Sequence, residues 1–418
     1  MVKRLILFVA ALLLVVVSCS KDPDFEQGSV RGGSSARSSQ AQRSYTEPTR
    51  RVMVMISGGY NSLAGYLAED LQDLESGYVP AGTSFHADVL LVLARVAVSR
   101  GDYTTPRAPV LYRLWSGRDG SVHRDTVKSW AEGTPLCSKE TIREALSFVE
   151  TKYPAAGYGV VFSSHASGWM PSGYYSDPSK FEPSGTLWGL RSIGQDITPD
   201  GGVEMELTDF ADAIPMHLDY CLIDACLSGC VEVAHALKGK ADIVGFSPTE
   251  VLADGFDYKN ITSHLFATPS DPVEVCRAYF AYYDAKSGGN RSATITVVDT
   301  RKMEALETVC KELFDKYRTA LNSLKGDRVQ GYFRYDRHYF YDLKDILVQA
   351  GITEEETARL QAALDACILY QAATSSFLSM PLNRVCGLSM YLPSMGSAYL
   401  NNFYRENISW NHATELVL

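Results

Sequence analysis

Three cysteines fall within twelve residues, in the segment DYCLIDACLSGC at 219–230. Cysteine thiols bind zinc, form disulfides, pack as small hydrophobic groups or attack substrates as nucleophiles. Structural zinc sites commonly combine two Cys pairs, or a Cys pair with a His pair. Cys226 and Cys230 have neither companion. The segment does not predict a zinc site, so each thiol is assessed by its position.

Cys226 holds a different position from its two neighbours. Cys221 lies inside the apolar run LDYCLI (218–223), which is typical of a buried strand. Cys226 follows the carboxyl end of that run. The later residues VEVAHAL predict a helix that begins close by, with Cys230 one turn further on and packed against the sheet. Helix N-termini favour thiolates, and open parallel sheets bind ligands beyond the carboxyl ends of their strands. Cys226 is therefore the candidate nucleophile.

A cysteine nucleophile needs a general base, and His165 is the histidine with a matching position. It follows the predicted strand YGVVFS (158–163), as Cys226 follows its own strand. If the two strands are parallel neighbours, both side chains emerge at the same edge of the sheet. The alternative is an ordinary loop histidine, and His217 and His235 lack this placement. The spacing predicts a His165–Cys226 dyad.

Short apolar runs separated by helical or loop segments predict an α/β fold with a mostly parallel sheet flanked by helices. Ser138 is a candidate N-cap for one of the helices. After about residue 290 the pattern becomes mainly helical, with long amphipathic stretches, a helical pattern over 353–373 and a strand-like GLSMYLP at 387–393. We expect a sheet domain over 51–289 and a mainly helical C-terminal domain over 290–418. The runs that predict strands are 51–56, 87–96, 108–115, 158–163, 218–223, 241–246 and 292–298.

The composition of the 418 residues is that of a globular protein, with 46% hydrophobic residues and a formal net charge of −10. Lys and Arg form no basic stripe, which argues against nucleic acid as a partner. Most cysteines after residue 19 lie in apolar periodic segments, so they predict packing rather than a disulfide framework; one incidental bridge stays open.

The N-terminus predicts export. Residues 1–18 combine Lys3 and Arg4 with a short apolar run, and Val-Val-Ser-Cys resembles a bacterial lipobox that ends at Cys19. Lipidated Cys19 would be the first residue of the mature protein, and the polar segment 19–50 would be a disordered tether. The alternative is an ordinary secretory signal. Ser20 favours the outer membrane of the cell envelope, with the side of the membrane left open.

HASGW at 165–169 and DACLSG at 224–229 resemble the two catalytic motifs of the clostripain-like cysteine peptidases, in the clan of caspases, gingipains and legumains. The resemblance extends from about Arg51 to the end of the chain, through segments such as RVMVMISGGYNSL and IVGFSPTEVLADGFDY. It implies a caspase-like fold. It also implies an endopeptidase in which His165 assists Cys226 through a thioester, acting on peptide or protein substrates.

The resemblance also assigns the substrate-binding groups. The family cleaves after Arg or Lys, which needs a carboxylate in the S1 pocket; Asp224 and Asp254 are the candidates. Backbone N–H groups of Ala166 and Cys226 would bind the oxyanion. Some members cut themselves in the loop after the histidine. Here the loop 170–194 offers Lys180 and Arg191. No cofactor is expected, calcium dependence is left open, and a monomer is the default.

Two departures from the family pattern support a second hypothesis. Ser164 stands where the family has an acidic residue, and Ala166 stands where it has glycine. If that glycine has a positive φ, Ala166 would be strained and its N–H misdirected. The alternative function is therefore a catalytically inactive homologue that binds peptides or proteins at the cell surface.

Overall fold

Strands and helices alternate along most of the chain. The computed structural model describes residues 49–95, 106–174, 192–198, 201–335 and 338–418. The strands are β1 (Arg51–Ser57), β2 (Val89–Ala94), β3 (Val110–Ser116), β4 (Val122–Ser129), β5 (Gly157–Ser163), β6 (Ile193–Thr198), β7 (Gly201–Met205), β8 (Leu218–Asp224), β9 (Ala241–Phe246), β10 (Thr294–Asp299), β11 (Tyr341–Asp342), β12 (Ile368–Ala373), β13 (Ser376–Phe377), β14 (Met380–Pro381) and β15 (Ser389–Met390). The helices are α1 (Ala64–Ser76), α2 (Lys139–Lys152), α3 (Leu207–Asp212), α4 (Val231–Ala236), α5 (Tyr258–Leu265), α6 (Pro272–Asp284), α7 (Glu304–Leu321), α8 (Leu343–Ala350), α9 (Glu354–Cys367), α10 (Ala398–Asn407) and α11 (Ser409–Thr414).

Nine of these strands form one sheet in the order β12-β10-β9-β8-β5-β1-β2-β3-β4. The five central strands, from β9 to β2, are parallel, and the two strands at each edge are antiparallel. Helices cover both faces, as an apolar parallel sheet requires. The predicted α/β architecture with a mostly parallel sheet is confirmed.

Each face of the sheet carries its own core. Along β1, Val52, Val54 and Ile56 pack on one face, while Met53 and Met55 pack on the other. This alternation follows from the two-residue period of a strand. Helix α2 begins at the predicted N-cap, where the Ser138 side chain accepts a hydrogen bond from the Thr141 N–H. The central strands are thus held rigidly from both sides.

The C-terminal residues add strands to the same sheet as well as helices. β10 pairs with β9, and β12 pairs with β10, both antiparallel. The described residues from Thr49 onward form one compact unit, and the domain boundary near residue 290 stays a prediction. Within this described part of the chain, none of the helices has the length and apolar character needed to cross a membrane.

Two sequence predictions in this region were wrong. The helical pattern of 353–373 ends at Cys367, and ILYQAA forms β12 instead, because its backbone completes the edge of the sheet beside β10. The strand predicted over 387–393 is reduced to Ser389–Met390, which pairs with Tyr341–Asp342. In both cases pairing with a distant strand decided the outcome, and periodicity does not reveal such pairing.

Candidate active site

His165 and Cys226 emerge side by side from neighbouring strands. β5 and β8 are parallel, and Ser163 at the end of β5 lies opposite Asp224 at the end of β8. Each of the two candidate residues lies two positions past its strand end. Both line one small cavity of about 140 Å³. The structure therefore brings together the pair that the sequence singled out.

The loop that carries Cys226 is held by the segment after β9. The Leu227 N–H donates to the Thr249 carbonyl (2.8 Å), and the Gly229 N–H donates to the Ser247 carbonyl (2.7 Å). The Val251 N–H points to the Cys226 Sγ at 3.3 Å. Leu227 has a φ of +58°, a left-handed conformation that is uncommon for leucine. Cys226 thus lies on a sharply turned, tightly bonded loop.

The expectation of a helix beginning at Cys226 was wrong. Helix α4 starts at Val231, and Cys230 is its extended N-cap residue rather than a residue one turn inside it. Burial raises the pKa of the Cys226 thiol to about 12, the Val251 N–H opposes this, and Glu250 and Asp224 reinforce it. The left-handed turn at Leu227 separates Cys226 from the start of α4, so the thiol does not lie in the first turn of that helix.

The imidazole of His165 has a hydrogen-bond partner that the sequence did not predict. Ser62, in the loop after β1, shares a hydrogen bond with the His165 Nε2 (Oγ···Nε2 2.8 Å). The Gly194 N–H donates to the His165 carbonyl (2.9 Å). β1 is parallel to β5 and adjacent to it, so residues after β1 reach the same edge. The position of Ser62 shortly after the first predicted strand could therefore have indicated its contact with His165.

The two departures from the family pattern are accommodated. The Ser164 hydroxyl donates to the Gly58 carbonyl (2.7 Å) and accepts from the Gln195 N–H (3.3 Å), which joins three loops at the site. Among the described non-glycine residues, only Leu227, Leu378 and Glu415 have a positive φ. Ala166 does not have a positive φ, so the condition under which it would be strained is not met.

The hairpin β6–β7 is fixed to the site by a buried ion pair. The Asp196 carboxylate contacts the Arg95 guanidinium (2.5 Å), and both side chains are almost fully buried. The same carboxylate accepts from the N–H groups of Tyr60 (2.9 Å) and Leu136 (2.5 Å). Burial raises the pKa of Asp196, while these donors oppose the shift. The pair attaches the chain after the predicted cleavage loop to the end of β2, and the Tyr60 N–H attaches it to the loop after β1.

The two predicted S1 carboxylates lie in different surroundings. Asp224 lines the cavity beside Cys226, and its Oδ2 accepts from the Phe256 N–H (3.0 Å) and the Tyr258 hydroxyl (2.7 Å). Burial raises the pKa of Asp224 to about 6. Asp254 is half exposed, outside the cavity lining, and pairs with the Lys286 ammonium (2.8 Å). Asp70 of α1, which the sequence reading passed over, does line the cavity.

Several predictions concern residues outside the described ranges, namely Lys180, Arg191, Cys19 and the segments around them. The eight cysteines of the described chain are unpaired thiols, and all except Cys226 are buried. Among the described residues, no group of three or more His, Cys, Asp or Glu side chains is placed to hold a metal ion.

A thiol and an imidazole at adjacent ends of parallel strands, on a sheet flanked by helices, define a cysteine-protease fold of the caspase-like type. The chain belongs to the clostripain family (Peptidase C11), whose sequence profile matches residues 55–415. The resemblance inferred from the two catalytic motifs is thereby confirmed. A comparison with curated protein sequences gives no match.

Solved C11 proteases share this fold. An inactive zymogen C11 protease from Parabacteroides distasonis is 27% identical, with a TM-score of 0.71, over 88% of this chain and 99% of that one. A secreted C11 cysteine protease from Bacteroides thetaiotaomicron, in complex with an irreversible peptide inhibitor, is 22% identical with the same TM-score and coverage. The similarity therefore spans the sheet and the C-terminal residues together.

Proposed function

We propose that this protein is an exported, lipid-anchored cysteine endopeptidase that cleaves after Arg or Lys. The observation that supports it most is the placement of His165 and Cys226, each two residues past the end of adjacent parallel strands and both lining one cavity. Membership of the clostripain family supports the same reaction class. No cofactor is needed for this chemistry, because a thiol, an imidazole and backbone N–H groups suffice.

The reaction would begin from a neutral thiol. Because burial raises the pKa of Cys226 to about 12, His165 must take the thiol proton as Sγ attacks the substrate carbonyl. The N–H groups of Ala166 and Cys226 would bind the oxyanion. His165 then returns the proton to the departing amine, which leaves a thioester on Cys226. Water, activated by His165, releases the acid and restores the thiol.

The carboxylates beneath Cys226 support a basic P1 residue. Asp224 is nearly buried in the cavity wall, where a substrate ammonium or guanidinium would find an opposite charge away from water. Asp254 is less suited to this role, because the Lys286 ammonium already neutralises it.

The test compares residues 20–418 with the Cys226→Ala and His165→Ala variants on fluorogenic peptides that end in Arg, Lys, Leu or Asp. We expect cleavage after Arg and Lys that both substitutions abolish. Parallel assays with added calcium or with EDTA test whether cleavage depends on a metal ion. If none of the peptides is cleaved, even after limited trypsin treatment, the inactive surface-binding homologue becomes the better description.

Self-cleavage at Lys180 or Arg191 is a further part of the proposal. The solved relative from P. distasonis is described as an inactive zymogen, which supports a latent form here. Purified Cys226→Ala protein should stay intact while the active protein is cut between 174 and 192, as N-terminal sequencing would show. Full activity with an uncut segment would contradict it.

The lipid anchor at Cys19 rests on the lipobox pattern alone. Cys19→Ser should move the protein from the membrane fraction to the soluble fraction and abolish incorporation of labelled palmitate. The occurrence of both forms in the same fraction would argue for an ordinary secretory signal. We also expect a monomer, which light scattering of residues 20–418 would check.

A further inference from the structure

A second carboxylate lies in the cavity beneath Cys226. Asp70 is on the buried face of α1, with only 9% of the residue exposed, and it lines the cavity with Asp224. The helical pattern around it predicts an apolar position there, because Leu67, Leu71 and Leu74 share that face. A carboxylate at such a position is costly unless something compensates its charge.

The two cavity carboxylates differ in their partners. The Oδ2 atom of Asp224 accepts two hydrogen bonds, from Phe256 and Tyr258, which fix the loop before α5 as the cavity wall. Within the described residues, the Asp70 carboxylate makes neither a hydrogen bond nor an ion pair. The bonds to Asp224 engage Oδ2 and leave its Oδ1 for a cation in the cavity, whereas Asp70 keeps the acceptor capacity of both oxygens.

The charges around Asp70 are also negative. A second cleft adjoins the cavity, shares Tyr66 and Asp70 with it, and is lined by Glu69, Asp73, Asp254 and Asp257. Burial raises the pKa of Asp70 to about 9, and Asp224, Asp73, Glu69 and Asp254 add to the shift. Of the acids in this cleft, Asp254 is offset by Lys286. An incoming cation would remove the electrostatic cost of Asp70.

We propose that Asp70, together with Asp224, receives the terminal ammonium or guanidinium of the substrate's P1 side chain and is a second determinant of basic specificity. The inference rests on the proposed function and assigns part of its specificity to a residue of α1. The apolar stem of P1 Lys or Arg would lie against Leu63, Leu67 and Leu252, which line the same cavity. Asp224 would hold the wall through Oδ2 and contribute the other carboxylate.

The test uses the Asp70→Asn variant and peptides that differ only in P1: Lys, Arg, and the neutral counterparts norleucine and citrulline. We expect kcat/KM for Lys and Arg to fall by about 100-fold, since one partner of a buried charge pair is lost. The value for norleucine should be unchanged or higher. Asp365→Asn, on the exposed face of α9 and outside both the cavity and the adjoining cleft, should stay within about 3-fold.

A melting curve separates a specificity role from a structural one. The folded-state pKa of Asp70 lies above its unfolded value, so folding takes up a proton and stability falls as pH rises between the two. Asp70→Asn should therefore melt about 2–4 °C higher than the wild type at pH 8 and equally at pH 4. A variant that is more stable but has lost basic specificity is the expected result, whereas a structural residue would lose stability as well.

Failure of this inference is distinguishable from failure of the proposed function. If the wild type cleaves after Lys or Arg and Asp70→Asn retains that selectivity, the role of Asp70 is overturned and the peptidase stands. If the wild type cleaves none of the peptides, calorimetry measures binding of the Lys-ending peptide to Cys226→Ala, with and without the Asp70→Asn substitution. Equal binding by the two proteins, or no binding by either, overturns the inference.

Discussion

The reactivity of Cys226 is set by opposing local effects on one sulfur atom. Cys226 is half-buried, and the burial of its thiol raises the pKa to about 12. The carboxylates of Glu250 and Asp224 act in the same direction. The Val251 N–H at 3.3 Å favours the thiolate but is outweighed. A raised pKa favours a resting thiol, so in the proposed mechanism the proton moves to His165 during attack. This differs from a preformed thiolate–imidazolium pair.

The first prediction concerns the alkylation of Cys226 by iodoacetamide. Because only the thiolate reacts and its pKa is raised, the rate at pH 7 should be at least about 10-fold below that of free cysteine. It should rise with pH up to pH 10 without a plateau, as followed by mass spectrometry of the Cys226 peptide. A plateau near pH 6–7 with fast reaction would instead indicate a resting ion pair.

At the scale of elements, the loop after β8 and the segment after β9 form one unit. Three N–H groups, those of Leu227, Gly229 and Val251, connect them. Gly229 is packed closely enough that a Cβ would lie 2.3 Å from the Pro248 nitrogen and 2.5 Å from the Ser247 carbonyl carbon. Backbone atoms move less easily than side chains, so the position of Sγ depends on the absence of a side chain here.

The second prediction is that Gly229→Ala separates the two segments. We expect a loss of about 1–3 kcal/mol in the free energy of unfolding, from overpacking, and at least a 10-fold loss in kcat/KM, to about the same extent for Lys and norleucine peptides. Denaturant titration and steady-state kinetics measure the two effects.

Gly65→Ala is the matched control, because a Cβ on that α1 residue meets nothing within 4 Å. It should be neutral, or stabilising by up to about 1 kcal/mol, with full activity. If Gly229→Ala behaves like this control, the close packing does not position Cys226.

For the whole molecule, charge is distributed unevenly around the site. The cavity and its adjoining cleft carry the acids Glu69, Asp70, Asp73, Asp224, Asp254 and Asp257, and the chain has a net charge of −10. A cleft lined with one sign of charge concentrates ligands of the other sign and accelerates their association. The same surface would disfavour acidic substrates.

The third prediction concerns ionic strength. Raising NaCl from 50 to 500 mM should lower kcat/KM for a Lys-ending peptide by about 3–10-fold, mostly through KM, since salt screens exposed charges. The norleucine peptide should change by less than about 2-fold. Equal salt effects on the two peptides would show that the acidic cleft contributes nothing to substrate selection.

The sequence alone determined the parallel core of the sheet, the family and the two residues of the proposed dyad. Apolar runs identify the parallel strands, and a polar residue directly after such a run must lie at the sheet edge, so His165 and Cys226 were found from local pattern. The edge strand β4 was not predicted, because its side chains are mostly exposed and polar. The contact between Ser62 and His165 was not predicted, because 103 residues separate them.

Only the tertiary structure decided which groups surround the dyad. It tied Asp254 to Lys286, placed Asp70 in the cavity and raised the pKa of the Cys226 thiol. Each outcome depends on burial and on contacts between residues distant along the chain, and neither is encoded in residue spacing. Periodicity fixes which face of an element is apolar, whereas the environment of a charge is set by everything that packs around it.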